Sequence, residues 1–285
     1  MSRTLMGLPW PASSSSTDAA SALGVPAAGV SRVVIQAPRR VLSSRTLPPN
    51  EMARPAISLV MPAYNEAGNI ERAVRAAAEA GAQAGTHEVV VVDDGSRDAT
   101  GERLAALAAE LGPRLRVVRH EHNRGYGAAL RTGFAAAEGD LVFYTDSDNQ
   151  FDLSELAGVI PLMREWDAVL GYRIDRKDAR RRLITSWVFN HLSCVVFGLS
   201  VRDLNCSFKL FRRDVLRALP LESDDFFIDT EMVVRLHRAG FRFVERGVTH
   251  RPRLAGHSTV RLSDIPRTLM AVARMRAKLG SEPAR

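Results

Sequence analysis

An acidic loop in the middle of the chain carries three oxygen-bearing side chains at regular spacing. Asp146 and Asp148 stand two residues apart, and Gln150 follows after two more, just past the apolar run at residues 141–144. Carboxylates at this spacing beyond a strand can converge on one side of a loop, and Gln150 adds a neutral carbonyl oxygen. Hard divalent cations prefer such ligands, and Mg²⁺ is commonly held by one or two carboxylates together with substrate phosphates. The loop therefore indicates a metal site, with a solvated acidic turn as the alternative.

Two other loops place polar residues directly after apolar runs. The turn Pro-Ala-Tyr-Asn-Glu at residues 62–66 would bring an aromatic ring and a carboxylate to the edge of a ligand site. Asp93 and Asp94 follow the run at residues 88–92, and a carboxylate there can accept hydrogen bonds from a base or a ribose. The alternative for the turn at residues 62–66 is a plain turn in which Asn65 caps a helix. The alternative for the two aspartates is that they have only capping and turn roles.

From residue 56 onward, strand-like runs alternate with helical patterns. The predicted strands cover residues 57–61, 88–92, 115–118, 141–144 and 168–170, and the predicted helices cover 66–80, a segment ending near 111, and 127–137. Ser96 or Asp98 is expected to cap the second of these helices. This alternation predicts an α/β fold with a mostly parallel sheet covered on both faces. Ligands of such sheets bind beyond the carboxyl ends of the strands, where the three loops lie.

The first 55 residues differ from the rest of the chain. They hold seven of the 14 prolines and a serine run at residues 13–16. No helical or strand period lasts there, so we expect a disordered N-terminal extension, with a short interaction motif at residues 33–35 as the alternative. Pro9 and Pro11 interrupt the only candidate for a signal peptide.

The composition is that of a globular protein. Hydrophobic residues make up 46% and charged residues 25% of the chain, which excludes a wholly disordered or collagen-like protein. The formal net charge is +7, and much of it comes from the six arginines of the first 55 residues, so we expect no nucleic-acid partner. Cys194 and Cys206 form no CxxC pair, and a reduced, cytoplasmic protein is the simplest interpretation.

Two segments combine apolar residues with nearby basic clusters. Residues 183–201 contain no charged side chain and reach the length of a membrane span, but Ser, Thr, Asn and His residues interrupt them. We expect a buried or interfacial helix, with an ordinary core helix as the alternative. A second helical stripe is formed by Ile265, Leu269, Val272, Met275 and Leu279. This helix either rests on an anionic membrane surface or packs on the protein's own sheet.

Two remaining patterns favour structural roles. Gly125 and Gly127 mimic a dinucleotide fingerprint, but the third glycine is missing and the pattern follows the third strand rather than the first, which argues against a dehydrogenase. His120 and His122 have no third ligand at a useful spacing, so a solvated loop is expected rather than a zinc site.

The motifs in their order resemble a family 2 glycosyltransferase of GT-A fold. They are residues 57–66, 89–96, Asn-Arg-Gly-Tyr-Gly at 123–127 with Gly133, and Gly-Asp at 139–140 before Asp-Ser-Asp at 146–148. Segments 170–173, 181–183 and 203–213 resemble the branch of dolichyl-phosphate mannose synthases and other polyprenyl-phosphate glycosyltransferases. The resemblance implies a Rossmann-like GT-A domain at residues 56–262. The apolar stripe and the basic residues near it predict that a basic amphipathic helix and tail follow at 263–285.

The resemblance also implies roles for individual residues. A nucleotide-diphosphate sugar donor would be bound by Pro62, Ala63, Tyr64, Glu66, Val92, Asp94, Asp146, Ser147 and Asp148. Mg²⁺ or Mn²⁺ and the diphosphate would be held by Asp146, Asp148 and Gln150. The acceptor or its phosphate would be bound by Arg173, Arg182, Ser207, Arg253 and Arg261. In the loop after Arg253, Thr259 stands where relatives often have a basic residue, which weakens the phosphate contact expected from that loop.

The implied reaction is inverting transfer of a sugar from the nucleotide to a polyprenyl (dolichyl-type) phosphate. The metal, held by Asp146, Asp148 and Gln150, would neutralise charge on the leaving diphosphate, and Arg173 would assist it. A lipid phosphate is already an anion at pH 7 and needs no strong base. A hydroxyl acceptor needs one, for which Asp229 and Glu231 are candidates, Glu231 being the better match to the family. The alternative for both acids is to complement the dipole of a helix.

The implied enzyme is a metal-dependent hexosyltransferase that lies peripherally at the cytoplasmic face of a membrane with an anionic surface. One alternative is a family 2 enzyme with a soluble or glycan hydroxyl acceptor. Another is a nucleotide-sugar-binding protein without turnover. The complete set of acidic site residues argues against this alternative, because a protein without turnover has no evident need for them.

Overall fold

A mixed β-sheet runs through the protein. The computed structural model describes residues 30–34, 55–174, 176, 180–252 and 265–281. Within this part of the chain the strands are β1 (Val30–Val34), β2 (Ile57–Ala63), β3 (His87–Asp93), β4 (Leu115–Arg119), β5 (Leu141–Thr145), β6 (Ala168–Ile174), β7 (Phe208–Arg212) and β8 (Phe243–Thr249). They lie in the order β1-β8-β6-β7-β5-β2-β3-β4. Pairs β2–β3, β2–β5, β3–β4 and β6–β8 are parallel, whereas β7 is antiparallel to β5 and β6, and β1 to β8. The predicted α/β fold is confirmed.

Helices cover both faces of this sheet. In the described residues they are α1 (Ile70–Ala84), α2 (Thr100–Leu111), α3 (Tyr126–Ala136), α4 (Leu156–Val159), α5 (Arg180–Phe197), α6 (Arg213–Ala218), α7 (Ile228–Arg238) and α8 (Ile265–Ser281). One core cluster contains residues of α1, α2 and α4, and the other contains residues of α3, α6, α7 and α8. All residues of β2 and six of the seven in β3 are buried, as expected for strands with both faces covered.

Close packing of α3 on the sheet depends on a glycine. A Cβ atom at Gly133 would lie 2.4 Å from Cγ1 of Val60 and 3.3 Å from Cγ2 of Val92. Only a glycine lets the helix approach the strands this closely without displacing them. The N-terminus of α3 is thereby brought close to the carboxyl ends of β2 and β3.

The first helix begins four residues later than predicted, because the preceding turn is bound to a neighbouring loop. Asn65 has a positive φ of 55°. Its backbone N–H donates to Oγ of Ser96 at 3.0 Å, and its side-chain oxygen accepts from the backbone N–H of Arg97 at 2.9 Å. Asn65 therefore does not cap α1, and the expected caps Ser96 and Asp98 lie before Ala99, the N-cap residue of α2.

We predicted no strand before residue 56, and this prediction is wrong for one segment. Val30–Val34 forms β1 and pairs with β8, with Val34 opposite Phe243 and Val33 opposite Val244. Three of the five residues of this strand are valines, which are favoured in strands. The remainder of the predicted disordered extension lies outside the described residues.

The two amphipathic segments pack differently from one another. In α8, Val272, Met275 and Leu279 are buried in the core cluster that contains residues of α3 and α7. Three of the five stripe residues therefore pack on the protein itself, as the alternative interpretation requires, whereas Leu269 is 44% exposed and the side chain of Ile265 is not described. In α5, Ile184 and Trp187 are 63% and 65% exposed, so this helix is not an ordinary core helix.

No helix within the described ranges is both long enough and apolar enough to cross a membrane.

Candidate functional site

The acidic loop after β5 is held in place by its own polar side chains. Oγ of Ser147 donates to the carbonyl oxygen of Pro62 in β2 at 2.9 Å. Asn149 has a positive φ of 61° and donates from Nδ2 to the carbonyl oxygen of Asn69 at 3.0 Å. The backbone N–H of Gln150 donates to Oδ1 of Asp148 at 3.1 Å. These bonds fix Asp146 and Asp148 at the carboxyl edge of the sheet, as predicted.

Asp146 lies in a partly buried environment beside a second negative charge. The hydroxyl of Tyr126 donates to Oδ1 of Asp146 at 2.8 Å and lies 3.3 Å from Oγ of Ser207, which also hydrogen-bonds the carboxylate. Burial and then the charge of Asp148 raise the pKa of Asp146 to about 7. A divalent cation between the two carboxylates would relieve this repulsion, so the donor set fits Mg²⁺ or Mn²⁺.

A metal ion bound at the acidic loop would need ligands beyond the side chains of the protein. The described residues contain no group of three or more His, Cys, Asp or Glu side chains that could hold a metal. Mg²⁺ sites with two carboxylates usually gain further ligands from substrate phosphates and water. Gln150, the third predicted ligand, donates from Nε2 to the carbonyl oxygen of Arg251 at 3.1 Å, which ties the acidic loop to the chain after β8.

Asp94 is bound by the chain itself at the end of β3. Its Oδ1 accepts from the backbone N–H of Arg124 at 2.8 Å, and its Oδ2 accepts from that of Gly125 at 2.9 Å. Nδ1 of His120 lies 2.6 Å from Oδ1 and must carry the hydrogen, because a carboxylate only accepts. Asp94 thus positions the turn that leads into α3, and any contact with a nucleotide would be additional to this role.

His120 was expected in a solvated loop, and that expectation was wrong. The side chain is 5% exposed, and its Nε2 lies 3.0 Å from Oγ1 of Thr132 in α3. The signal that could have found it is its position directly after β4, since β3 and β4 are parallel neighbours and Asp94 directly follows β3. Residues that follow adjacent parallel strands meet at the same edge.

The turn at residues 62–66 lies at the same edge. Pro62 and Ala63 are buried within β2, whereas Tyr64 is half-buried. Oε2 of Glu66 accepts from Nδ2 of Asn69 at 2.6 Å. Val92 is fully buried and faces Gly133 of α3, so its side chain supports the site from beneath instead of lining it.

Arg173 is paired with a carboxylate that the sequence analysis did not assign. Its Nε and Nη2 donate to Oδ2 and Oδ1 of Asp203 at 2.7 and 2.8 Å. Burial alone would raise the pKa of Asp203, but the hydrogen bonds and charge of Arg173 hold this pKa below its ordinary value. The side chain of Arg182 is not among those described, and Arg253 and Arg261 lie outside the described residues, so their roles stay predictions.

The two candidate bases are hydrogen-bonded inside the protein. Asp229 accepts from the hydroxyl of Tyr144 and, at 2.7 Å, from Nζ of Lys209. Glu231 accepts from the backbone N–H of Ser223 at 2.8 Å and from Nε of Arg235 at 2.8 Å.

These contacts also set the basicity of Glu231. Burial tends to raise its pKa, but the hydrogen bonds from Ser223 and Arg235 hold that pKa below the ordinary value, which makes Glu231 a weaker base. Both acids lie in the first turn of α7, as the non-catalytic interpretation requires.

An acidic loop, the carboxylate of Asp94 and an aromatic turn lie together at the carboxyl edge of the parallel strands. This arrangement defines a GT-A type of glycosyltransferase domain. Residues 58–219 match the family described as "Glycosyl transferase family 2". The chain belongs to this family, which confirms the resemblance.

Three known proteins illustrate the similarity. The chain is 38% identical to "Glycosyltransferase AglD" of Haloferax volcanii over 69% of its own length and 33% of the relative. It is 32% identical to "Dodecaprenyl-phosphate galacturonate synthase" of Rhizobium johnstonii over 75% of its own length and 64% of the relative. It is 25% identical, with a TM-score of 0.61 and 78% of each chain covered, to glucosyl-3-phosphoglycerate synthase from Mycobacterium tuberculosis in complex with Mn²⁺, UDP and phosphoglyceric acid. The chain thus spans between one third and just under two thirds of these two curated relatives.

Proposed function

We propose that the protein is an inverting, metal-dependent glycosyltransferase that moves a sugar from a nucleotide-diphosphate sugar to a polyprenyl phosphate. The observation that carries this proposal is the pair Asp146 and Asp148 at the carboxyl edge of the sheet, in a chain of family 2. A relative named as a dodecaprenyl-phosphate galacturonate synthase supports the lipid acceptor.

The residues of the site would have the following roles in the reaction. Asp146 and Asp148, with Gln150, hold Mg²⁺ or Mn²⁺, which when bound neutralises charge that grows on the leaving diphosphate. Tyr64 and Glu66 bind the nucleotide, and Asp94 shapes the turn beside it. Arg173 supplies positive charge near the phosphates, with Arg182, Ser207, Arg253 and Arg261 on the acceptor side.

An anionic acceptor agrees with the state of the two buried acids. A phosphate oxygen of the acceptor attacks the anomeric carbon as the bond from that carbon to the diphosphate breaks on the opposite face, so the configuration inverts. A phosphate monoester is ionised at neutral pH, so this step needs no strong general base. The internal hydrogen bonds of Asp229 and Glu231 are compatible with such a reaction, whereas a hydroxyl acceptor would require one of them to be released.

An exposed apolar face of α5 supports a peripheral position at a membrane. Ile184, Trp187, Val188 and Val195 are between 51% and 69% exposed, and their spacing places them on one side of the helix. Three arginines begin this helix in the sequence. An apolar face beside basic residues fits an anionic lipid surface, which in the cell would be the cytoplasmic leaflet. We therefore assign the membrane contact to α5 in place of α8.

Transfer of labelled sugar tests the reaction. The protein is incubated with a panel of nucleotide sugars, Mn²⁺ or Mg²⁺, and vesicles that contain a polyprenyl phosphate, and the label is then partitioned between solvent and water. Label in the lipid extract supports the proposal, whereas label only in a water-soluble product overturns the lipid acceptor. Donor binding without any turnover, across the whole panel, overturns the enzymatic function.

Vesicle co-sedimentation tests the membrane contact. Wild-type protein is compared with Trp187→Glu and with Met270→Glu, a matched control because Met270 of α8 is 56% exposed. We expect only the α5 variant to lose binding to vesicles with anionic lipid. Equal loss in both variants, or no binding by the wild type, contradicts the assignment to α5.

A soluble acceptor is the second candidate. The solved structure with a TM-score of 0.61 contains phosphoglyceric acid, a small water-soluble molecule. Adding phosphoglyceric acid to the same transfer assay distinguishes this candidate, because its product would stay in the aqueous phase.

A further inference from the structure

Lys209 is a fully buried cation in the middle of the sheet. It lies in β7, and its side chain is 0% exposed. Its Nζ donates to the hydroxyl of Tyr144 at 2.8 Å, to the carbonyl oxygen of Cys206 at 2.7 Å and to Oδ1 of Asp229 at 2.7 Å. An ammonium group has three donors, and here each has a protein acceptor.

The three partners of Lys209 belong to three segments that converge on Asp146. Tyr144 in β5 precedes Asp146 by two residues. Cys206 is followed by Ser207, whose hydroxyl group hydrogen-bonds Asp146.

Asp229 supplies the third connection, through α7. It lies three residues after Phe226, and the ring of Phe226 stacks on Tyr126. Tyr126 in turn donates to Asp146. Each acceptor of Lys209 therefore lies within three residues of Asp146 itself, of Ser207, or of the ring that stacks on Tyr126.

Stability alone does not account for this buried ion pair. Removing two charges from water is costly, and replacing a buried ion pair by apolar groups of similar volume is often neutral or stabilising. A lysine at this position therefore has to be explained by the geometry it imposes. Its three short bonds join β5, the turn before β7 and the start of α7 at one point.

We infer that Lys209 is a positioning residue, which fixes the three segments around Asp146 and so sets the affinity of the acidic pair for a divalent cation. The inference rests on the proposed metal function of Asp146 and Asp148. Lys209 itself touches neither metal nor substrate. It acts through Tyr144, Ser207 and the α7 segment, in the way that outer groups orient the ligands of other metal sites.

The test separates positioning from folding. Mn²⁺ binding is measured by titration of the free-ion paramagnetic resonance signal, and folding is measured by thermal unfolding. The variants are Lys209→Met and the double variant Lys209→Met with Asp229→Asn, which removes both buried charges. Arg75→Met is the control, because it removes a cation from an exposed ion pair with Glu110 in α2.

We expect the double variant to unfold cooperatively near the wild-type temperature but to bind Mn²⁺ at least about tenfold more weakly, as for other outer-group substitutions. The control is expected to bind like the wild type. Wild-type Mn²⁺ affinity in a folded Lys209 variant overturns the inference. If both Lys209 variants fail to fold, Tyr144→Phe decides, because it removes one acceptor of Lys209 and keeps the ring. A weaker affinity supports the inference, and an unchanged affinity overturns it.

Hydrogen exchange of the metal-free protein provides an independent measurement. Loss of Lys209 is expected to raise exchange in residues 144–150, 205–209 and 222–230 while α1 and α2 keep their protection. Unchanged exchange, or a uniform rise, overturns the inference. If the wild type binds no Mn²⁺ either alone or with a nucleoside diphosphate, the proposed metal function fails, and this exchange pattern alone decides the role of Lys209.

Discussion

The rings of Tyr126 and Phe226 stack with their centroids 4.8 Å apart and their planes inclined by 26°. The pair connects the first residue of α3 to the segment before α7, directly beside the acidic loop. Phe226 is 41% exposed, so its ring contributes less to the core than to the orientation of Tyr126. The hydroxyl that contacts Asp146 is therefore held from two sides, by the helix and by the stacked ring.

Replacing Phe226 is expected to affect activity more than stability. Phe226→Ala removes an aromatic contact of about 0.5–1.5 kcal/mol and leaves Tyr126 free to turn away from Asp146. We expect a loss of about tenfold in transfer rate with a similarly small change in the free energy of unfolding, since each 1.4 kcal/mol in the barrier is tenfold in rate. Parallel urea titrations and rate measurements check this. A rate equal to that of the wild type would show that the stack is dispensable.

Asp148→Ala is expected to reduce transfer at least about 100-fold, because the leaving diphosphate loses its electrostatic stabilisation. Donor binding should weaken as well. Glu110→Ala, an exposed acid paired with Arg75, serves as the control. EDTA should reproduce the effect in the wild type, and full turnover in EDTA would contradict a metal-dependent reaction.

Mn²⁺ binding should release protons near neutral pH. Burial and then the charge of Asp148 raise the pKa of Asp146 to about 7. At pH about 6.5 the carboxyl group of Asp146 is therefore protonated in much of the metal-free protein. The cation binds the ionised form, so the apparent affinity should fall as the pH is lowered from about 8 to about 6. Calorimetry in two buffers of different ionisation enthalpy measures the release. Identical heats in both buffers would be inconsistent with this pKa.

The same carboxyl group links pH to the stability of the metal-free protein. Its pKa in the folded state lies above the ordinary value of 3.8, so the folded state binds more protons between these values than the unfolded state does. The contribution of this group to stability is therefore lost as the pH rises from about 4 to about 7. Asp146→Asn should flatten this part of the pH–stability curve, which thermal unfolding across the range can measure.

His120→Leu is expected to lower the free energy of unfolding by about 1–3 kcal/mol, because Asp94 loses a buried hydrogen-bond donor. His122→Leu is the matched control, since His122 lies two residues away and is exposed. Urea unfolding of both variants checks the difference. Equal stabilities would mean that Asp94 is sufficiently held by the backbone N–H groups of Arg124 and Gly125.

Arg173→Ala is expected to destabilise the protein by about 3–5 kcal/mol, because the buried Asp203 loses both hydrogen bonds from the guanidinium group that balances its charge. The double variant Arg173→Met with Asp203→Leu should recover much of this stability. If Arg173 also contacts the phosphates, transfer by the double variant stays low despite the recovered fold. Wild-type transfer rates in the double variant would limit Arg173 to its pairing with Asp203.

Much of the sheet could be predicted from local sequence, since β2, β3 and β5 are mostly apolar runs that are followed by polar loops. β7 could not, because Lys209 divides its apolar run and only the three-dimensional fold reveals the compensating carboxylate of Asp229, twenty residues further on. Similarly, an apolar stripe such as that of α8 satisfies the same helical period whether it faces a bilayer or a protein core. Periodicity identifies the buried side of a helix but not what covers it.

Among the individual site residues, too, some positions could be predicted from sequence and some partners could not. The position of Asp146 and Asp148 follows from a strand and its direction, so sequence was sufficient. The internal partners of Asp94, Arg173 and Glu231 lie between 4 and 31 residues away in the chain. Because of these hydrogen bonds, each predicted ligand or base also stabilises the fold.

The reversed direction of β7 has a consequence for insertions and deletions. Lys209 lies opposite Tyr144 of β5 and opposite Leu170 of β6, with Phe208 and Leu210 facing the other side of the sheet. A shift of the strand by a single residue would exchange these faces, because side chains alternate along a strand. The ammonium group would then lie among the apolar side chains of the opposite core. Loss or gain of one residue in the segment that enters β7, at 198–207, would therefore damage the protein far more than the same change at the exposed Gly280 near the end of α8.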